Sequence, residues 1–253
     1  MPENSETGHA KNVANFNQLI FFIVGYGIIY NPSRPSISLT ALELLATKSE
    51  SGISNLNLVF SACSSVVTAR EEAFEPMSKL STRVLNALKA TDTTAQTDNA
   101  AKTIVRKIQG QRASAKIHVP ETSLIPATPL STDKKEIKQI STSQMSFDSR
   151  LNNFDKLIRL VDQTPQYIPN ETELKVVTLK AYYDDLKIKN EAAITATVIV
   201  SNARIARNEV LYTPITGTID IASDVKVYIK SLFGAVSPQY KQISGLEFIN
   251  IPK

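Results

Sequence analysis

A single cysteine, Cys63, rules out any intrachain disulfide, and two histidines far apart in sequence, His9 and His118, cannot assemble a Cys/His zinc site or a His-rich metal site. Tryptophan is absent and glycine is scarce, at 8 residues, which suits a helical chain with few tight turns. Charge of one sign is nowhere concentrated. Residues 1–110 carry 10 basic and 9 acidic side chains, 111–146 carry 5 and 3, and 147–253 carry 13 and 12. The net charge of +4 is therefore a slight overall bias, without the Lys/Arg stripe that nucleic-acid binding requires. Long hydrophobic runs are missing too: the longest, Leu19 to Tyr30, falls short of the roughly 20 apolar residues of a membrane-spanning helix. The opening residues, 1–15, are polar and lack a basic region leading into an apolar stretch, so a disordered arm and a cytoplasmic location are expected.

Motifs of chemistry are also missing. The chain has no GxxxxGK[ST], GxSxG, HExxH or CxxC. Gly25-Tyr26-Gly27 is a bare GxG inside an apolar helix, better suited to a close helix contact than to a phosphate loop. Asn170-Glu171-Thr172 reads as the turn that starts a helix rather than as a glycosylation site. Cys63 falls on an apolar seam, and His118, its one conceivable basic partner, lies among Ile117, Val119 and Pro120, so no nucleophile is expected. Adjacent carboxylates at Glu71-Glu72 and Asp184-Asp185 diverge by about 100° on a helix and do not converge on a substrate. The expectation is a non-enzymatic protein with no cofactor and no metal.

With 42% hydrophobic residues the chain has ample material for a core. The Ser/Thr/Pro-rich stretch 111–146, with Pro120, Pro126 and Pro129, reads as a linker or extended strap. The segments on either side resemble one another. Phe16-Asn-Gln-Leu-Ile matches Phe154-Asp-Lys-Leu-Ile, and Tyr30-Asn-Pro-Ser matches Tyr167-Ile-Pro-Asn. The latter spacing, 137, also sets Leu42 on Leu179, Arg70 on Arg207 and Glu72 on Glu209. Further on, Lys102 to Gly110 matches Lys226 to Gly234, and Lys138 to Ser141 matches Lys241 to Ser244, with deletions in the second copy. The expected fold is all-α and internally duplicated, with two three-helix units, 16–110 and 147–253, around a pseudo-two-fold axis.

Each unit reads as a short helix, a turn, a long helix and a third helix. The first helix covers about 14–29 in one unit, and prolines and a serine at 31–36 stop it and start the next. The long helix carries a seam through Ile53, Leu56, Phe60, Cys63, Val67, Phe74, Met77, Val84 and Leu88, at the spacings of an antiparallel bundle or coiled coil. Pro76 should kink or split it. The third helices, about 98–109 and 221–233, end at Gly110 and Gly234, placed as left-handed caps. In the second unit the seam runs through Val176, Leu179, Tyr183, Leu186, Ala193, Val200 and Leu211. A strand competes at 194–200 and 218–229, which are β-branched and partly alternating, but 194–200 has no flanking turn signal and runs directly into Ser201-Asn202-Ala203-Arg204, which favours helix.

Two features carry the functional expectation. Arg70 and Arg207 occupy equivalent seam positions, where a guanidinium needs partners: polar contacts that fix register, or an anion site between the halves. The segment 20–29 is apolar on all sides where the matching helix has Asp155, Lys156, Arg159 and Asp162, so it is either the central helix or a contact. Phe21, Phe22, Tyr26 and Ile29 are expected to form a surface by which a scaffold or interaction protein associates with itself or a protein partner. A membrane-active helical protein and a small anionic ligand binder are the alternatives.

Overall fold

The computed structural model describes residues 3–111 and 145–251, and every regular element among them is helical. The α-helices are α1 (Glu3–Tyr26), α2 (Leu39–Phe74), α3 (Met77–Lys89), α4 (Ala95–Ile108), α5 (Phe147–Asp162), α6 (Val176–Tyr212), α7 (Thr218–Phe233) and α8 (Pro238–Ser244). The strap expected over 111–146 lies, except for its ends, outside the described residues, as does His118. Short 3-10 turns at Pro35–Ile37 and Thr172–Leu174 precede the two long helices.

Sequence chemistry accounts for the breaks. Pro76 removes a backbone donor, and α2 stops at Phe74 with α3 resuming at Met77, so the long seam is split there. Thr94, Ser146 and Ser237 cap α4, α5 and α8, each side-chain oxygen accepting from a backbone N–H three residues on. Gly110, at φ +69°, ends α4 in a Schellman arrangement: Gln111 N–H donates to the Arg106 carbonyl at 2.9 Å. Gly234 also has positive φ, but its ψ of 153° lies outside the left-handed helical region, which corrects that part of the expectation. The β-branched stretches 194–200 and 218–229 lie in α6 and α7, not in strands.

The chain divides into two compact units: Met1–Val66 with Ile194–Lys253 (unit 1), and Val67–Ala193 (unit 2). These cut across the segments 16–110 and 147–253. In unit 2, α5 packs on α4 and α3, and Phe154 and Leu157 of α5 join Met77, Val84, Leu88 and Val105 in the core. In unit 1, α1 packs on α7 and α8, and Phe16, Leu19 and Ile23 meet Ile221, Val225 and Ile243. Each unit thus combines a first helix from one part of the sequence with the last helices of the other.

In both long helices every seventh residue lies on the inner seam. In α6 these are Leu179, Leu186, Ala193, Val200 and Arg207, all buried; in α2 they are Leu42, Ser49, Leu56, Cys63 and Arg70. A strict seven-residue repeat keeps one face toward a neighbouring helix. Within unit 1 the two helices run antiparallel, Gly52 facing the Arg207 backbone and Leu56 clustering with Val200 and Ala203. Phe60, placed on the seam by the sequence, is instead half exposed, one residue beyond Val59, which packs against that cluster.

The N-terminal arm expected over 1–15 is helical from Glu3, and His9, Asn12 and Val13 are buried. Its polar residues are held by tertiary hydrogen bonds. His9 shares one with the Tyr212 hydroxyl. Asn12 clasps Ile249, donating to its carbonyl at 2.8 Å and accepting from its N–H at 3.0 Å. Two phenols close the turns before the long helices: Tyr30 donates to the Ile37 carbonyl at 2.6 Å, and Tyr167 to the Leu174 carbonyl at 2.9 Å.

Candidate interaction surface

Helix α1 sorts its apolar residues onto two faces. Leu19 and Ile23 are buried, and Phe22 and Tyr26 are partly buried against the same core. The Tyr26 ring meets Phe233 edge-on at 5.2 Å, and its hydroxyl donates to the Gln239 carbonyl at 3.0 Å. The other face carries Phe21 and Val24, which are 75% and 52% exposed; past the end of the helix, in the 3-10 turn Gly27–Ile29, Ile28 and Ile29 are 97% and 56% exposed. Of the four residues singled out from the sequence, Phe21 and Ile29 therefore face outward, while Phe22 and Tyr26 anchor the helix. Sorting 19–26 by helical period would have found Val24; Ile28 lies beyond Gly27, at φ +58°, where that period no longer applies.

A second surface went unread. Residues 51–69 of α2 and 192–203 of α6 contain no charged side chain. In unit 1 these stretches bury Leu56, Val200 and Ala203, with Val59 and Cys63 packed alongside. Leu58, Phe60, Ile194, Val198 and Ile199 remain about half exposed or more. The signal was available in the absence of Lys, Arg, Asp and Glu over the middle of each long helix.

The two arginines belong to different compact units. Arg70, in unit 2, stacks on Phe147 with its guanidinium carbon 3.9 Å from the ring centroid, and Nη1 reaches Asn190 Oδ1 at 3.5 Å. Asn190 in turn donates to Asp148 in the first turn of α5 at 2.7 Å, so the carboxylate reaches Arg70 through an amide. Arg207, in unit 1, is buried, and its guanidinium donates twice to Asn208 Oδ1, at 3.1 and 2.9 Å. Arg207→Met should therefore destabilise the protein by on the order of 3 kcal/mol, because it removes a buried, hydrogen-bonded cation and leaves its partners unmet. Arg70→Met should lose only about 1 kcal/mol, because a thioether also packs well on an aromatic ring. Urea denaturation of both variants checks the contrast, and equal losses would contradict it.

Among the described residues no three His, Cys, Asp or Glu side chains are grouped to hold a metal. A groove of about 370 Å³ in unit 1 is lined by Ser223, Lys226, Ser244 and residues 246–249. Its one cation is engaged: Lys226 donates to the Ser244 and Leu246 carbonyls at 3.1 and 2.9 Å, tying down the end of α8. Burial lowers the Lys226 pKa, and Glu247 opposes that shift. The helical stretches Gly8–Ile29 and Leu39–Lys89 are long and apolar enough to cross a membrane, the first because α1 starts well before the run at 19–30. In the most apolar 18-residue window of each stretch, about a third of the residues are buried in the first and 6% in the second.

No protein-family model, curated protein or solved structure matches this chain.

Proposed function

We propose that this protein is a non-enzymatic helical scaffold that self-associates through the uncharged middle of its two long helices. The observation that carries this reading is the pair of charge-free stretches, 51–69 and 192–203, whose apolar side chains the chain itself covers only along one seam. The five exposed apolar residues of these stretches offer roughly 500 Å² in all, on more than one side of the helix pair, because Leu58 and Phe60 stand about 200° apart on their helix. Covering about half of that area on two chains, at about 25 cal/mol per Å², corresponds to about 12 kcal/mol of gross transfer free energy. That lies within the roughly 4–15 kcal/mol lost on association, which makes the expected dimer a micromolar one. A second copy matches the surface because neither side brings a charge to be desolvated, and two antiparallel pairs stacked about a two-fold axis form a four-helix bundle. Sedimentation velocity on the intact chain tests this. The wild type should be a dimer at micromolar concentration, and Leu58→Glu with Val198→Lys should dissociate it at least a hundredfold more readily while leaving helicity unchanged. A wild type that stays monomeric at tens of micromolar would refute the reading.

The scaffold is proposed to be an internal duplication. Its support is a spacing of 137 that relates the 3-10 turns Pro35–Ile37 and Thr172–Leu174, the starts of α2 and α6, the Tyr30 and Tyr167 hydroxyl bonds, and Arg70 and Arg207. The same spacing relates α3 to α7, setting buried Ser81, Val84 and Leu88 on buried Thr218, Ile221 and Val225. This replaces the pairing of α4 with α7 suggested by the Lys102 and Lys226 matches; the Lys138 to Ser141 match lies outside the described residues. On this reading the first helix of each repeat packs on the last two helices of the other, as in an exchanged dimer joined into one chain.

A further inference from the structure

The exposed end of α1 differs from the long-helix surface in charge. No Asp or Glu occurs in residues 7–42 or 225–246, and unit 1 brings these two segments together. Tyr26 meets Phe233 and Gln239, and the Tyr30 ring meets Tyr228 edge-on at 5.3 Å. The turn between α7 and α8 places Val236, 83% exposed, in the stretch that leans on Tyr26, two residues before Ile28, which is 97% exposed. Two cations stand at this corner. Lys230 Nζ lies 5.8 Å from the Tyr240 ring, and Lys241 follows in α8; neither forms an ion pair among the described residues. The adjacent acids are engaged elsewhere, Asp224 by Arg34 at 2.5 Å and Glu247 beside Lys226. In α5 the residues 138 positions after Phe21 and Val24 are Arg159 and Asp162, so a helix in this setting does not require apolar residues on its outer face.

We infer that this corner seats on an anionic lipid bilayer, with Phe21, Ile28 and Val236 entering the acyl boundary and Lys230 and Lys241 meeting the headgroups. Tyr26 and Tyr240 stand where aromatic rings with a polar tip favour the interface. The charge selects the partner: a second copy would bring together two surfaces whose adjacent acids are already engaged and whose remaining charges are basic, whereas an anionic leaflet attracts both lysines. The size agrees, because a few inserted side chains beside basic residues support reversible membrane binding yet cover less than a stable protein interface requires.

Flotation of the intact chain with vesicles of phosphatidylcholine alone, and of phosphatidylcholine mixed with phosphatidylserine, tests the inference. Binding to the mixed vesicles should be at least tenfold stronger than to the neutral ones. Ile28→Asp with Val236→Asp should reduce it at least tenfold without loss of helicity, and Lys230→Glu with Lys241→Glu should abolish the preference for the anionic lipid. Because the chain has no tryptophan, Ile28→Trp supplies a single fluorophore whose emission should shift to the blue on mixed vesicles only. Absent or equal binding to the two vesicle types would overturn the inference, as would undiminished binding of the Ile28→Asp/Val236→Asp variant. So would a wild type that ignores vesicles while Ile28→Asp changes its assembly size, which would assign the corner to a protein partner.

Discussion

Phe16→Ala and Phe154→Ala should each destabilise the protein by about 4 kcal/mol, and each should do so within its own unit. Both rings are fully buried. Phe16 lies with Leu19, Ile23 and Val225 in unit 1, and Phe154 lies in unit 2, edge-on to Tyr182 at 5.7 Å. Truncating a buried phenylalanine removes its transfer free energy and leaves a cavity, typically about 3–5 kcal/mol together. Amide hydrogen exchange gives the location. Protection should fall in α1, α7 and α8 for the first variant and in α3, α4 and α5 for the second, because the helices that line each cavity belong to one unit. A uniform fall across all helices, or a loss below about 1 kcal/mol in urea, would show that the cores are not separate.

Alkaline pH should unfold the protein, and three phenols set the window. Burial raises the pKa of Tyr30 above its ordinary value, with Tyr228 adding to the shift. Burial raises Tyr167 to about 12, helped by Glu171, and Tyr182 to about 12, where Arg150 opposes and Asp185 adds. A phenol whose folded pKa lies above its unfolded value of about 10 keeps its proton longer in the native state. Its contribution is complete below pH 10 and is lost as pH rises toward 12. With solvent screening, that amounts to roughly 1–2 kcal/mol each for Tyr167 and Tyr182. Thermal melts between pH 8 and pH 12 should fall steeply above pH 10. Tyr167→Phe should flatten the slope while losing about 1 kcal/mol at pH 7, where the Leu174 carbonyl is left without its donor. A melting temperature unchanged up to pH 11.5 would dismiss this role for the phenols.

The parts of this fold legible in the sequence are those fixed by local chemistry. Pro76 splits the long helix, Gly110 ends α4, and the seven-residue recurrence from Leu179 to Arg207 marks a seam without reference to anything distant. The β-branched run at 194–200 looked strand-like, but in α6 only Val200 of that run turns fully inward, so period seven prevails over β-propensity. What was not legible depends on partners far along the chain. His9 and Asn12 read as a solvated arm because their hydrogen bonds run to Tyr212 and Ile249, more than 200 residues away. Which last helices α1 and α5 pack on is likewise invisible to helical period, because all of those helices offer similar apolar stripes. The candidate surface was half legible: the apolar excess of 20–29 was plain, but which side chains face outward follows only once Tyr26 is seen to dock on Phe233 and Gln239.

Unit 1 is assembled from both ends of the sequence, whereas unit 2 is one continuous stretch. During synthesis α1 leaves the ribosome long before α7 and α8 exist, and at about 5–20 residues per second the delay amounts to roughly 10–40 s. Throughout that interval Phe16, Leu19 and Ile23 have no native surface to cover them, while unit 2 has all of its helices available first. Unit 2 can therefore close first, and the apolar face of α1, uncovered until α7 and α8 emerge, is an expected binding segment for chaperones at the exit tunnel.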